Sequence, residues 1–492
     1  MPRDERKRRR VTLTKAHALT NAPSVASDQG AIARDAKRDE QMYDFSIARA
    51  RADHRASGEA LRHTPKSAKL AAWMECARAR AVKRVRGTFR AECEKRKLEA
   101  PPQLALERWR FATKLAEDAR SMALETPRGK QKRARRGACG IVGEGDAVLP
   151  RATHDGAAGS LALDVARAGV ARDEAIAVEV AVHRASALEV DKLEKMKQKY
   201  VDGGAEGLKK LASATMVVHK RSRDLSLDGC FVKITHVAYE KLRTLHENYA
   251  LRGDGKESGE GTDLDTFHDR VFALLLRYKT IHGHGFQAAC SPEVFRVLHK
   301  TLKVTMECFA SPLNTFFATH CSAFGDVDGA FGSIGSFASF KPTRGAFEVN
   351  PPFVPSVLNE AAAWCESLLD RAEKAKQPLT FVFVMPGWKE TRAFEVLTAS
   401  AFLRASVLIA ASDHGYCDGA SHQRRDPYRS SPYDTCVFVL RTQSAALDDV
   451  VRFAPDAFDA ELRVAMRVAV PTAAESKRQR RPLAVERDDN VG

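Results

Sequence analysis

The sequence predicts an α/β fold built on an open, mostly parallel sheet, and three stretches carry that expectation. Gly345-Ala-Phe-Glu-Val-Asn350-Pro351-Pro352-Phe353 has apolar residues at Ala346, Phe347 and Val349, a strand pattern that stops abruptly where two prolines bar further ladder bonding. Beyond it Val354, Leu358, Ala361, Ala362, Cys365, Leu368 and Leu369 recur at helical spacing, so the unit is strand, rigid loop, amphipathic helix. Leu379-Thr-Phe-Val-Phe-Val-Met385 is almost wholly apolar, as a central strand covered on both faces should be. Together these place Asn350 and Phe353 at the carboxyl edge of a strand, where open α/β sheets keep their ligand crevices.

An Asn-Pro-Pro-Phe loop in that position suits methyl transfer to a planar amine. The lone pair of an exocyclic adenine amine, or of an amide nitrogen, is delocalised until acceptors on both N–H bonds localise it. The Asn350 side-chain oxygen and the Pro351 carbonyl are two such acceptors, pre-set by proline's fixed φ, and Phe353 offers a ring for the base to stack on. The plainer alternative is a tight turn with Phe353 in the core.

The 492 residues carry a net charge of +16 and a pI near 9.4, which points to a polyanionic partner, most simply nucleic acid. Ten cysteines are scattered without a C-x-x-C pair, so neither a zinc site nor a disulfide framework is expected and a reducing compartment is. No apolar run approaches a membrane span and the N-terminus lacks a signal-peptide core, so a soluble intracellular protein is expected.

Along the chain, residues 1–200 read as a basic Ala/Arg-rich low-complexity arm, largely disordered, with local helical spacing near Leu70 to Val85 and Leu104 to Met122. The arm is expected to act as a sequence-blind RNA tether outside the catalytic fold. Lys130-Gln-Lys-Arg-Ala-Arg-Arg136 and Lys477-Arg-Gln-Arg-Arg481 are basic clusters of nuclear-import type, as common in nucleic-acid-binding tails. Residues 201–300 read as a helical subdomain, with helices over Val232 to Leu251, Phe267 to Tyr278 and from Pro292. His282 and His284 in a glycine loop lack the further paired ligand of a metal site.

Residues 301–470 hold the α/β part, followed by a basic tail over 471–492. Val304 to Ala310 is a buried-strand candidate running into the turn Ser311-Pro312-Leu313-Asn314, where a Rossmann-like sheet places its first cofactor loop. Asp326 and Asp328 follow near the usual position of the carboxylate that binds ribose hydroxyls. The dinucleotide glycine fingerprint is missing, so a nucleoside cofactor such as S-adenosylmethionine fits better. Ser406 to Ala410 and Thr435 to Leu440 complete the strands, with a helix around Ala393 to Leu403. The polar loop Asp413 to Arg425 between those strands offers aromatic, histidine and arginine groups to a base or phosphate.

Five motifs occur in one order: Glu307-Cys-Phe-Ala-Ser-Pro-Leu-Asn314, Cys321-Ser-Ala-Phe324, Asp326-Val-Asp-Gly-Ala-Phe-Gly-Ser333, Gly345 to Phe353, and Phe383-Val-Met-Pro-Gly-Trp388. With Leu274-Leu-Leu-Arg-Tyr278 and Pro292 to His299 in the helical part, the stretch from about 208 to 440 resembles the cap-specific adenosine N6-methyltransferases, the phosphorylated-CTD-interacting-factor family.

The resemblance implies a Rossmann-like core using S-adenosylmethionine, a nuclear protein, and as acceptor the first transcribed 2′-O-methyladenosine of capped mRNA. Asn350, Pro351, Pro352 and Phe353 would hold the adenine; Phe309, Ala310, Ser311, Pro312, Asn314 and Asp326 would hold the donor. Animal members carry an N-terminal WW domain that binds the phosphorylated tail of RNA polymerase II. Here Trp73 and Trp109 stand far apart without the framework of such a module. Adenine methylation in DNA or internal RNA, and a catalytically silent RNA- or polymerase-associated scaffold, are the alternative functions.

Overall fold

The computed structural model describes residue 43 and residues 67–98, 100–102, 104–113, 146–151, 159–251, 264–281, 288–424, 426–447, 453–473 and 475–476. The basic clusters at 130–136 and 477–481 and the glycine loop with His282 and His284 lie outside the described residues. Among the described residues no helix is long and apolar enough to cross a membrane.

The first layer is helical. α1 (Ala68–Lys95), α2 (Ser160–Arg167) and α3 (Arg172–Asp202) precede a meander of β1 (Thr215–Val218), β2 (Ser222–Leu227) and β3 (Cys230–Thr235), after which come α4 (His236–Leu251) and α5 (Leu264–Ile281). Ser67 caps α1 by accepting the Leu70 amide. α1 packs against both α3 and α5, burying Ala72, Cys76, Val82, Val85 and Phe89 against Val178, Val182, Phe272 and Leu275.

These elements correct two expectations. The described part of 1–200 is not a disordered arm: α1, the helical stretch at 105–113 and α3 share one core with α5. Alanine faces bury little area per residue but let helices approach closely, and Arg78, Arg84 and Arg108 pair with Asp146, Glu189 and Asp164. The region 201–300 is also not purely helical, because Val232 belongs to β3 and the helix begins only at His236.

Arg277 of α5 is wholly buried. Its guanidinium reaches Glu75 of α1 at 2.9 and 2.5 Å and Asp326 at 3.0 and 2.7 Å. Glu75 also takes Arg78, whose Nε meets Asp146 at 2.7 Å. Burial alone would lower the Arg277 pKa, yet the two carboxylates hold it well above its ordinary value.

The second layer is a sheet in the order β4-β5-β9-β6: β4 (Gly345–Val349), β5 (Leu379–Pro386), β9 (Thr435–Arg441) and β6 (Leu403–Ile409). β5 is central and wholly buried, but parallel only to β4; β9 runs antiparallel to both β5 and β6. The segment at Val304 to Ala310 is not a full strand. It runs beside β4 through a parallel bridge at Glu307 and the bonds Glu348 N to Met306 O and Cys308 N to Glu348 O. Two more parallel bridges, Glu307 with His320 and His320 with Ser333, carry the sheet onward.

α7 (Pro355–Lys374) and α8 (Arg392–Thr398) cover one face with Leu358, Cys365, Leu369 and Leu397 against Phe347, Phe381 and Phe438. α6 (Pro292–Leu302) and α9 (Pro455–Arg467) cover the other, with Val294, Phe295, Leu298 and Phe458 against Val382, Val384 and Val437. α6 thus packs with the sheet, not with the helical layer to which residues up to 300 were expected to belong. β7 (Gly415–Cys417) and β8 (Tyr428–Ser430) form a hairpin beside it.

Removing one partner of a buried ion pair leaves an uncompensated charge and costs about 3–5 kcal/mol. Arg277→Leu should therefore lower the denaturant midpoint steeply, and removal of residues 1–200 should lower the melting temperature and solubility together. Wild-type melting of either protein would sink this account of the core, and unchanged melting after the truncation would restore the tether expectation.

Candidate active site

β4 delivers Asn350 as expected from its sequence. Phe347 and Val349 point into the α7 face, while Ala346 packs toward α6, so the alternate residues Glu348 and Asn350 belong to that second face. Asn350 is 7% exposed, and its amide nitrogen donates to the Ala288 carbonyl at 3.4 Å. That contact uses the nitrogen end of the amide and turns the oxygen the other way. Pro351 is buried; the Val354 amide closes the turn on the Pro352 carbonyl at 2.6 Å, and Pro355 opens α7 at a position that needs no amide donor.

Phe353 is half-buried at the mouth of this turn, with ring centroids 6.3 Å from Trp388 and 5.9 Å from Tyr416, both edge-to-face. Tyr433 extends the group at 5.2 Å from Trp388. Beside Trp388 runs a groove of about 460 Å³ lined by Pro355, Asn359, Trp388, Glu390, Thr391 and Arg392. That is the size class of small-ligand sites.

The residues expected to hold a donor divide. Phe309 and Ala310 are half-buried directly after the Glu307 bridge, on the segment bonded to β4, so they share a sheet edge with Asn350. Ser311 and Pro312 are buried. The Asn314 oxygen accepts the Ser311 amide at 2.7 Å and its hydroxyl at 2.9 Å, closing the turn on itself. Asp326 lies farther along, past the His320 segment, engaged by Arg277 with its side chain 28% exposed. Arg277 holds that carboxyl below its ordinary range against the pull of burial. Asp328 differs: it accepts Tyr278 Oη at 2.8 Å, and burial raises it to about 7.

The loop Asp413 to Arg425 was expected to be too polar for the core. Instead His414, Tyr416, Cys417, Asp418 and His422 are buried, and Asp418 is paired with Arg424 at 3.0 Å and Arg429 at 2.7 Å. Hairpin pairing and the two Asp418 ion pairs engage polar groups that the sequence leaves open.

Sequence reasoning missed a row of polar side chains crossing the sheet. Glu348, Glu307, His320 and Ser333 occupy one register through successive parallel bridges, and all four are buried. Glu307 accepts Thr315 Oγ1 at 2.8 Å and the Phe316 and Phe317 amides at 2.7 and 3.2 Å, which ties the chain back after the Phe309 loop. Burial raises Glu307 to about 7 and pushes Glu348 well above the carboxylate range. Lys241, reaching from α4 to the Leu313 carbonyl at 3.2 Å, is lowered to about 8 by the same burial. The available signal was a single acid inside each of two apolar runs, Val304 to Ala310 and Ala346 to Val349.

His320 is wholly enclosed and burial lowers its pKa to about 3. The folded state thus binds fewer protons than the unfolded state between that value and the ordinary 6.5, so its share of stability is complete above 6.5 and lost as pH falls. Relative to His320→Gln, the wild type should lose about 2 kcal/mol by pH 5. Chemical melts of both proteins across pH 5 to 8 check this, and parallel curves would refute it.

Residues 241–419 match the family profile described as the phosphorylated CTD interacting factor 1 WW domain. The described residues within that stretch build most of α4, then α5, α6, α7, α8 and β4 to β7, while the three-stranded meander precedes it. A human protein named mRNA (2′-O-methyladenosine-N(6)-)-methyltransferase is 33% identical over 223 residues, which is 43% of this chain and 30% of the relative. A mouse protein of the same name is 34% identical over 223 residues with the same coverage. The chain thus matches 30% of the length of these curated relatives. Through this stretch the chain is similar to the phosphorylated-CTD-interacting-factor family.

Proposed function

We propose that this protein transfers a methyl group to the N6 amine of the cap-proximal 2′-O-methyladenosine of mRNA. The observation that carries the reading is the placement of Asn350, Pro351 and Phe353 at the end of β4, on the sheet edge shared with Phe309 and Ala310. The names of the human and mouse relatives support the substrate. The bridges through Ser333, His320 and Glu307 give the order Ser333-His320-Glu307-β4-β5-β9-β6, with an antiparallel β9. This supports a compressed Rossmann-like sheet.

The donor set fits S-adenosylmethionine: an aromatic ring at Phe309, half-buried at the edge, and a charged, partly exposed carboxylate at Asp326 able to accept hydroxyls. When bound there, it would supply an electrophilic methyl group. The protein's own part is to prepare the amine. Asn350 Oδ1 and the Pro351 carbonyl accept its two N–H bonds, which localises the nitrogen lone pair, and Phe353 fixes the ring plane. Transfer would replace one N–H bond of the amine by an N–CH3 bond, and the displaced proton would pass to solvent, since neither the Asn350 amide nor the Pro351 carbonyl is basic enough to keep it. Proline rigidity means that little reorganisation is needed as charge develops.

Capped mRNA is accordingly the proposed partner, with the polymerase tail suggested by the family description and a nuclear location by the two basic clusters. Labelled donor offered with matched oligonucleotides, capped or uncapped and RNA or DNA, tests the acceptor. Preferential labelling of DNA or of internal adenines would replace the proposal with those activities, and no labelling would leave a silent scaffold.

Asn350→Ala should reduce turnover on the order of 10²-fold while donor affinity stays near wild type. An unchanged rate would refute the polarising role. Phe353→Ala should weaken acceptor use, whereas Phe353→Tyr and Phe353→Trp should keep much of it. Equal loss in all three variants would assign Phe353 to packing alone.

A further inference from the structure

Behind Phe353 lies a buried chain of hydrogen bonds whose direction is dictated by its chemistry. His414 Nδ1 is 2.8 Å from the Ala410 carbonyl, which can only accept, so that nitrogen carries the proton. In the neutral ring Nε2 is then bare, and it lies 2.7 Å from Thr435 Oγ1. The threonine must donate there, leaving its lone pairs for Tyr416 Oη, also at 2.7 Å. The order is therefore Tyr416 to Thr435 to His414 to Ala410, with one donor and one acceptor at every link. His414 and Thr435 are fully enclosed and Tyr416 is 4% exposed.

The chain stands on rigid elements that also carry Asn350. Thr435 opens β9, paired in register with Pro386 on one side and Ile409 on the other. Tyr416 lies in β7, and its neighbour Cys417 exchanges backbone bonds of 2.8 and 3.1 Å with Ala289. The preceding carbonyl, Ala288, receives the Asn350 amide. The ring of Tyr416 meets Phe353 at 79°. One hairpin thus touches both halves of the candidate acceptor site.

We infer that His414, Thr435 and Tyr416 are positioning residues for the acceptor base, holding Phe353 at the tilt that aligns the amine with Asn350. This rests on the reading of the site as an adenine methyltransferase. It also gives the site a pH response. A proton added to His414 Nε2 turns that nitrogen into a donor, so Thr435 must reverse toward Tyr416 and the phenol loses its acceptor. Asp413 and Asp434 face His414 and favour that proton, whereas burial opposes it and holds the ring below its ordinary pKa. Arg467 lies 3.9 Å from Asp413, and Cys290 and Glu348 face the phenol.

The test uses the full chain, saturating donor, and a capped oligoribonucleotide beginning with 2′-O-methyladenosine. Thr435→Val and Tyr416→Phe should each raise the acceptor KM by up to about tenfold, the worth of one buried hydrogen bond, with donor KM unchanged. Thr435→Ser, which keeps the hydroxyl, should restore the wild-type value. The wild type should lose kcat/KM as pH falls below the ordinary imidazole range, and Tyr416→Phe should flatten that limb. Nitrogen-15 spectra at neutral pH should show the Nδ1–H tautomer of His414.

Wild-type KM in Thr435→Val and Tyr416→Phe, equal loss in Thr435→Val and Thr435→Ser, or the Nε2–H tautomer overturns the inference while the methyltransferase reading stands. Absence of transfer to any adenine by the wild type overturns that reading, and the inference with it.

Discussion

The buried guanidinium of Arg277 is the constraint on which the two layers depend. An isolated cation in that position would lose several kcal/mol of hydration, so the fold is stable only with Glu75 and Asp326 both in place. Those partners come from α1 and from the segment leading toward Ser333, residues 202 and 49 positions away in sequence. Geometry reinforces the charge argument. A planar fork with five donors can grip two carboxylates with two bonds each, which the three donors of a lysine cannot. The helices of the first two hundred residues are thereby tied to a carboxylate proposed to face the donor.

A contrasting use of burial runs across the sheet. Around Arg277 the charges are matched and stay ionised, whereas Glu348, Glu307 and His320 sit where burial favours their neutral forms. Glu307 offsets that cost by accepting a hydroxyl and two amides, and in doing so shapes the return from the Phe309 loop. The same row brings Glu348 within two residues of Asn350, so the polarity of the sheet interior and the placement of the acceptor loop are linked through β4.

The candidate site itself is assembled from segments remote in sequence. β4 supplies Asn350, the stretch after Glu307 supplies Phe309, and β5 leads to Trp388. The hairpin β7 to β8 supplies Tyr416, and the segment at Ala288, bridged to that hairpin through Ala289 and Cys417, orients the Asn350 amide. Each segment is anchored by backbone ladder bonds, so the aromatic and amide groups inherit their positions from the sheet. Such pre-placement suits a reaction in which an already planar base must be held in one orientation.

Local pattern determined the local units. Alternation into Asn-Pro-Pro marks the end of β4 because proline cannot continue a ladder, the apolar run from Leu379 marks a doubly covered strand, and Pro292 marks a helix start. The motif order from 208 to 440 likewise needs no coordinates. Tertiary structure decided what charged and small residues do. The pairing of Arg78, Glu75 and Arg277 leaves no mark in the local pattern, since burial of a charge is decided by what stands opposite it. The alanine faces of α1 read as weak until close helix neighbours appear. His414 and Tyr416 read as groups offered to a ligand, and only the positions of Ala410 and Thr435 show that their hydrogen bonds are already committed. Periodicity is a property of neighbours in the chain, but pairing is a property of neighbours in space.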